Sequence, residues 1–86
     1  MTSNLTQSIA ERTRQVLGQM VNRDPATLTD DTRLFAELGL DSTNALELLM
    51  QLEDELAVRI DADNLEQKDL DTVGSLTRYF TQQARG

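Results

Sequence analysis

Leu38-Gly39-Leu40-Asp41-Ser42-Thr43 ends a loop and opens a strongly amphipathic helix. Gly39 is free to take the left-handed conformation that reverses a chain. Asp41 or Ser42 then supplies the side-chain oxygen that caps the helix after it. From there to about Leu56 the apolar residues Ala45, Leu48, Leu49, Leu52 and Leu56 return at helical spacing and share one face. Glu47, Glu53, Asp54 and Glu55 lie mostly off that face. Leu46 and Met50 fall on its edge, and Leu46, Leu48 and Leu49 are expected to reach the core.

Upstream, Leu5, Ile9, Val16, Leu17 and Met20 predict an amphipathic helix over residues 4–20 or so, with Asn4 or Ser3 as its cap. Pro25 disfavours helix at Asp24, so this helix stops near Asn22. Residues 22–41 form a long first connection. Leu28, Leu34, Phe35, Leu38 and Leu40 tie it to the core, and one helical turn is expected at Arg33–Leu38. Downstream, Asn64–Lys68 predicts a short helix with Leu65 inward. Thr72 or Asp71 caps a last helix in which Val73, Leu76 and Phe80 face the core, with Tyr79 as further packing. Gly74 weakens that helix, and Gln82–Gly86 is expected to fray.

Eighty-six residues make one small domain with a modest core. There is no cysteine, hence no disulfide and no thiolate, which fits a cytoplasmic protein. No apolar run approaches the roughly 20 residues of a membrane span, and residues 1–4 show no signal peptide. Charge is uneven. Residues 30–71 hold 13 of the 15 acids against Arg33, Arg59 and Lys68, which leaves −10 there. Such a field repels nucleic acid and anionic lipid and attracts basic protein surfaces. Asp61-Ala62-Asp63-Asn64 starts like a calcium loop but lacks the later glycine and glutamate, so no metal site is expected. With no histidine, no cysteine and no nucleophile–base pair in view, an enzyme is not expected.

At Ser42 two readings compete. In one it only caps a helix. In the other its hydroxyl carries an anionic group, which a helix N-terminus favours, with Asp41 available to help hold Mg²⁺ during phosphoryl transfer.

Phe35-Ala36-Glu37-Leu38-Gly39-Leu40-Asp41-Ser42, followed by Glu47-Leu48-Leu49-Met50 and Leu52-Glu53-Asp54-Glu55-Leu56, resembles the acyl carrier protein family across nearly the whole chain. The resemblance implies an all-α four-helix bundle with a short third helix and a long first loop, one carrier domain over residues 1–86. It implies that Ser42 bears 4'-phosphopantetheine, placed there from coenzyme A by a phosphopantetheinyl transferase. The arm's thiol would then hold acyl groups as thioesters. Partner enzymes would do the chemistry: the transferase, an acyl-loading ligase or acyltransferase, and synthases. Thr43, Leu46, Glu47, Met50, Glu53 and Asp54 occupy the stretch that the family presents to partners, where acids steer basic surfaces and apolar side chains dock. A freestanding monomer is expected.

This chain departs from the family's common pattern at Leu40, Thr43 and Asn44, all beside the arm. These departures point to a discrete carrier for a specialised pathway such as polyketide assembly. The alternatives are an aminoacyl or peptidyl carrier, and an unmodified helical interaction module with Ser42 as a plain cap.

Overall fold

A computed structural model describes residues 3–61 and 63–85, and among these the side chains of residues 3–6 and 85 lie outside the description. The expected caps Ser3 and Asn4, the packing of Leu5, and Ala62 of the calcium-like run therefore fall outside the described residues or side chains.

Among the described residues three α-helices carry the fold: α1 (Ser3–Val21), α2 (Ser42–Leu56) and α3 (Val73–Arg85). Two short 3-10 turns, Pro25–Thr27 and Gln67–Leu70, lie in the connections. Helix α1 packs against both α2 and α3. Ile9, Val16 and Leu17 of α1, Leu48, Leu49 and Leu52 of α2, and Val73, Leu76, Tyr79 and Phe80 of α3 form one core. Each fully buried leucine or phenylalanine contributes roughly 1.5–3 kcal/mol. The helices expected from periodicity, and the all-α bundle that the resemblance implies, are thus found, with one refinement. Its short third element is a single 3-10 turn, displaced toward the C-terminus from Asn64–Lys68 to Gln67–Leu70. Asp69 causes the shift, since its Oδ2 accepts the Glu66 N–H at 2.9 Å and starts the turn there. Leu65 still packs inward.

Helix α1 ends as its sequence allows. Asn22 takes a left-handed φ of 58°, and the Arg23 N–H returns to the Gly18 carbonyl at 2.8 Å. That is the Schellman closure, which satisfies a carbonyl left free at a helix end. The approach is so close that a Cβ at Gly18 would lie 2.7 Å from the Arg23 oxygen.

The long first connection is pinned to the start of α3. The Val73 N–H donates to Thr32 O (3.0 Å), Gly74 N–H to Asp30 O (2.9 Å), and Leu34 N–H to Asp71 O (3.0 Å). The first amides of α3 have no partner within their own helix, so the loop supplies it. Thr72 and Ser75 complete the cap reciprocally: Ser75 N–H to Thr72 Oγ1 and Thr72 N–H to Ser75 Oγ, both 3.0 Å. Thr72 therefore caps α3 as expected. Gly74 has its own reason, because a Cβ there would sit 3.0 Å from the Asp30 oxygen. Buried Leu28 and Leu34 anchor the same loop.

The expected turn at Arg33–Leu38 is present as a single irregular turn. Glu37 and Leu38 N–H both reach Arg33 O (3.1 and 3.2 Å), and Gly39 N–H reaches Phe35 O (3.2 Å). Gly39 then reverses the chain at φ 70° and delivers buried Leu40 to the core, just ahead of α2. At the other end, α3 continues to Arg85 instead of fraying from Gln82. Buried Thr81 holds it, with its hydroxyl on Thr77 O at 2.7 Å.

Candidate functional site

Asp41 and Ser42 divide the work at the start of α2. Asp41 is the cap: its Oδ1 accepts the Asn44 N–H at 2.8 Å, and its own N–H points back to Asn44 Oδ1 at 3.5 Å. Ser42 is the first helical residue, exposed, and among the described residues its hydroxyl makes no hydrogen bond. The plain-cap reading of Ser42 is thereby corrected, for the carboxylate one residue earlier already fills that role. What remains is a free hydroxyl in the positive field of a helix N-terminus. Asn44, one of the departures from the family's common pattern, is the reciprocal partner of Asp41. The Asp-x-x-Asn spacing was the signal for it.

Running down α2 from Ser42, Leu46 and Met50 follow at i+4 and i+8 and lie on the same stripe. Both are exposed, 58% and 59% respectively. The expectation that Leu46 reaches the core is corrected here. Leu48 and Leu49 are buried, but Leu46 faces away from α1 and α3 toward solvent. Thr43, Glu47 and Asp54 are exposed on neighbouring positions. Near the end of α2, an open groove of about 700 Å³ is lined by Met50, Glu53, Asp54, Ala57, Val58 and Arg59, among others.

Glu53 stands apart from the other acids of α2. It is half-buried, and its Oε2 accepts the Ile60 N–H at 2.7 Å. Glu55 is exposed and pairs with Arg12 at 3.7 Å. Of the residues expected to meet partners, Thr43, Leu46, Glu47, Met50 and Asp54 share the outward surface of α2, while Glu53 is engaged inside the fold. Sequence reading also missed the polar role of Tyr79. Its ring packs edge-on to Phe80 (centroids 5.6 Å apart), and its hydroxyl bonds both backbone groups of Asp61. No local pattern signals a contact 18 residues away.

A helical bundle that offers an unengaged serine hydroxyl at a helix start, above an acidic helix with exposed leucine and methionine, has the form of a carrier domain. The phosphopantetheine attachment site family matches residues 11–80, and the chain belongs to that family. It is similar to the acyl carrier protein of Aster yellows witches'-broom phytoplasma (34% identical; 86% of this chain, 95% of that one). It is also similar to that of Saccharopolyspora erythraea (36% identical; 77% of this chain, 67% of that one). In fold it matches the acyl carrier protein from Enterococcus faecalis, with a TM-score of 0.72 at 19% identity over 91% of this chain and 96% of that one. The chain is therefore an acyl carrier and not an enzyme, with phosphopantetheine as its covalent cofactor. Synthases and transferases are the classes of partner that membership implies. No helix of the described residues is long and apolar enough to cross a membrane.

Proposed function

We propose that Ser42 Oγ is the attachment point of 4'-phosphopantetheine, and that residues 1–86 act as one carrier domain. The observation that supports this most is the division of labour at the helix start: Asp41 caps, and Ser42 is exposed with an unengaged hydroxyl. In the transfer, Ser42 Oγ forms a bond to the phosphate that bears pantetheine. The pyrophosphate bond of coenzyme A breaks, adenosine 3',5'-diphosphate leaves, and the hydroxyl proton passes to a base of the transferase. The helix N-terminus favours the phosphodiester once formed. Asp41 uses Oδ1 for Asn44 and leaves its second oxygen for Mg²⁺. When bound, the arm supplies a thiol that holds acyl groups as thioesters.

Thr43, Leu46, Glu47, Met50 and Asp54 form the docking surface in this reading. Leu46 and Met50 supply apolar contact, and Glu47 and Asp54 supply steering toward basic partners. The departures at Leu40, Thr43 and Asn44 support a specialised-metabolite pathway, with polyketide assembly as the first choice and a cytoplasmic monomer as the working form. The test is intact mass after incubation with coenzyme A, Mg²⁺ and a broad-specificity transferase, beside Ser42→Ala. A gain of one phosphopantetheine in the parent alone is expected. No gain in a folded parent with several transferases would overturn the attachment point.

A further inference from the structure

Residues 57–61 form a strap that leaves the end of α2 and crosses toward the second 3-10 turn. Ala57 turns the chain there at a left-handed φ of 53°. Beyond it, one residue of α2 holds the backbone twice. The Val58 N–H donates to Glu53 O at 3.2 Å, and the Ile60 N–H donates to Glu53 Oε2 at 2.7 Å. At the far end the Tyr79 hydroxyl accepts the Asp61 N–H at 2.9 Å. Val58 and Ile60 pack against the core. Arg59, between them, is exposed. The strap therefore presents one outward cation on a backbone fixed on both sides of it.

That cation stands in an acidic setting. Arg59 is the only base between Arg33 and Lys68. Elsewhere Arg12, Arg14 and Lys68 pair with Glu55, Asp30 and Glu66. Among the described residues Arg59 forms no ion pair, although it lines the groove at the end of α2 together with Glu53 and Asp54. The carboxylate of Glu53 is committed to the Ile60 N–H. Met50, Ala57 and Val58 give the same groove an apolar side, and Met50 is 59% exposed.

A guanidinium beside exposed apolar surface matches a carboxylate that has apolar neighbours. The acid takes its N–H donors in parallel, and the neighbours cover the thioether and the valine. We propose that Arg59 is a specificity-determining residue of the docking surface, which binds an acidic side chain of a partner enzyme flanked by apolar ones. The proposal deepens the reading of α2 as that surface and rests on it. Glu47 and Asp54 attract basic groups, and Arg59 sets the opposite requirement at the end of the helix. A uniformly basic surface satisfies the acids but is repelled at Arg59, so the pattern of charge selects the partner, and not its total.

The probes are acetyl-Ala-Leu-Glu-Leu-Ala-amide and its Gln and Lys counterparts, each titrated at low salt into the isotope-labelled protein. Amide shifts report both the place and the affinity of binding. The Glu peptide should shift the amides of residues 57–60 and bind there about threefold more tightly than the Gln peptide, the scale of one exposed ion pair. This preference runs against the net charge of −7, which repels an anion. It should vanish in Arg59→Gln, persist in weakened form in Arg59→Lys, and fade at high salt. A cation just past a helix C-terminus also supports the helix, so Arg59→Gln should lower thermal stability slightly. That role alone gives no preference between peptides. The Lys peptide should shift the amides around Glu47 and Asp54, in Arg59→Gln at least as strongly as in the parent. A response to the Lys peptide with no preference for Glu over Gln at the strap would overturn the role of Arg59 and leave the docking surface standing. A preference that survives Arg59→Gln would overturn it equally. No shift along α2 with any of the peptides would overturn the docking reading, and the proposal with it.

Discussion

Replacing Asp41 with alanine should destabilise the domain, whereas replacing Ser42 should not, although both are polar residues at one helix start. The magnitude follows from the contacts. Asp41→Ala removes the 2.8 Å bond from Asn44 N–H and leaves that amide without its side-chain acceptor. Loss of such a cap costs about 1 kcal/mol. A negative charge at the helix N-terminus is also lost, worth roughly 0.3–1 kcal/mol at an exposed position. The reciprocal contact, at 3.5 Å, adds little. The sum is about 1.5 kcal/mol, or a Tm lower by roughly 6–12 °C in a domain of this size. Ser42→Ala removes an exposed hydroxyl that binds nothing among the described residues, and alanine is the better helix former. Its stability should stay within about 0.5 kcal/mol of the parent. Thermal and urea unfolding followed at the helix dichroism band would measure both. Equal losses in the two variants, or a larger loss in Ser42→Ala, would refute the division of labour at this site.

Ala57 ends α2 in the left-handed region at φ 53°; Ala57→Gly should therefore raise stability by roughly 0.5–1 kcal/mol in urea titration. Gly18→Ala should lower it by about 1–2 kcal/mol despite the better helix former, since the new Cβ would lie 2.7 Å from the backbone oxygen of Arg23, whose N–H is bonded to the Gly18 carbonyl. Tyr79 is the sole tyrosine, and tryptophan is absent, so tyrosinate absorbance reads it directly. Its folded pKa is raised above 10.0, so its ionisation in the native state should come later than in urea. The stability linked to it is fully present below pH 10.0 and is lost as pH climbs through the raised folded value. A native titration no later than the denatured one would contradict the burial of the phenol. Finally, Glu47→Lys and Asp54→Lys should each lower kcat/KM for transferase loading several-fold and weaken its salt dependence while leaving unfolding unchanged, because both acids are exposed.

Helices α1, α2 and α3 were legible because their apolar residues repeat with the helical period, and Gly39 and Pro25 punctuate the chain between them. Leu46 was misread for a reason internal to that pattern. In Ala45-Leu46-Glu47-Leu48-Leu49-Met50 apolar residues surround most of the helix, and only the placement of α1 and α3 decides which ones are covered. The cap was left open between Asp41 and Ser42 because both residue types cap well. The choice came from Gly39 and Leu40, whose turn sets where helical backbone begins. The 57–70 region was the least legible. Its order comes from side chains of Glu53, Asp61, Asp69 and Tyr79 bonding to backbone groups, and such contacts leave no periodicity.

These contacts bear on what the acidity of the chain is for. Asp24, Glu37, Asp41, Glu53, Asp61 and Asp69 each accept a backbone N–H within the fold. In a domain with a modest core and long irregular connections, each such acid satisfies an amide that a longer helix or a sheet would have satisfied. Glu47 and Asp54, by contrast, stand on the outward face of α2 with no such duty, and theirs is the charge a partner can use. The two groups are interleaved in sequence, and Glu53 and Asp54 are adjacent. A scan that replaces every acid of this helix and reads only loading or transfer would merge them. Loss at Glu53 would come through the strap and loss at Asp41 through the cap, and both would show in unfolding. Loss at Glu47 or Asp54 would show only in the presence of a partner. Measuring stability beside transfer for each variant therefore separates the acids that build the carrier from those that a partner meets.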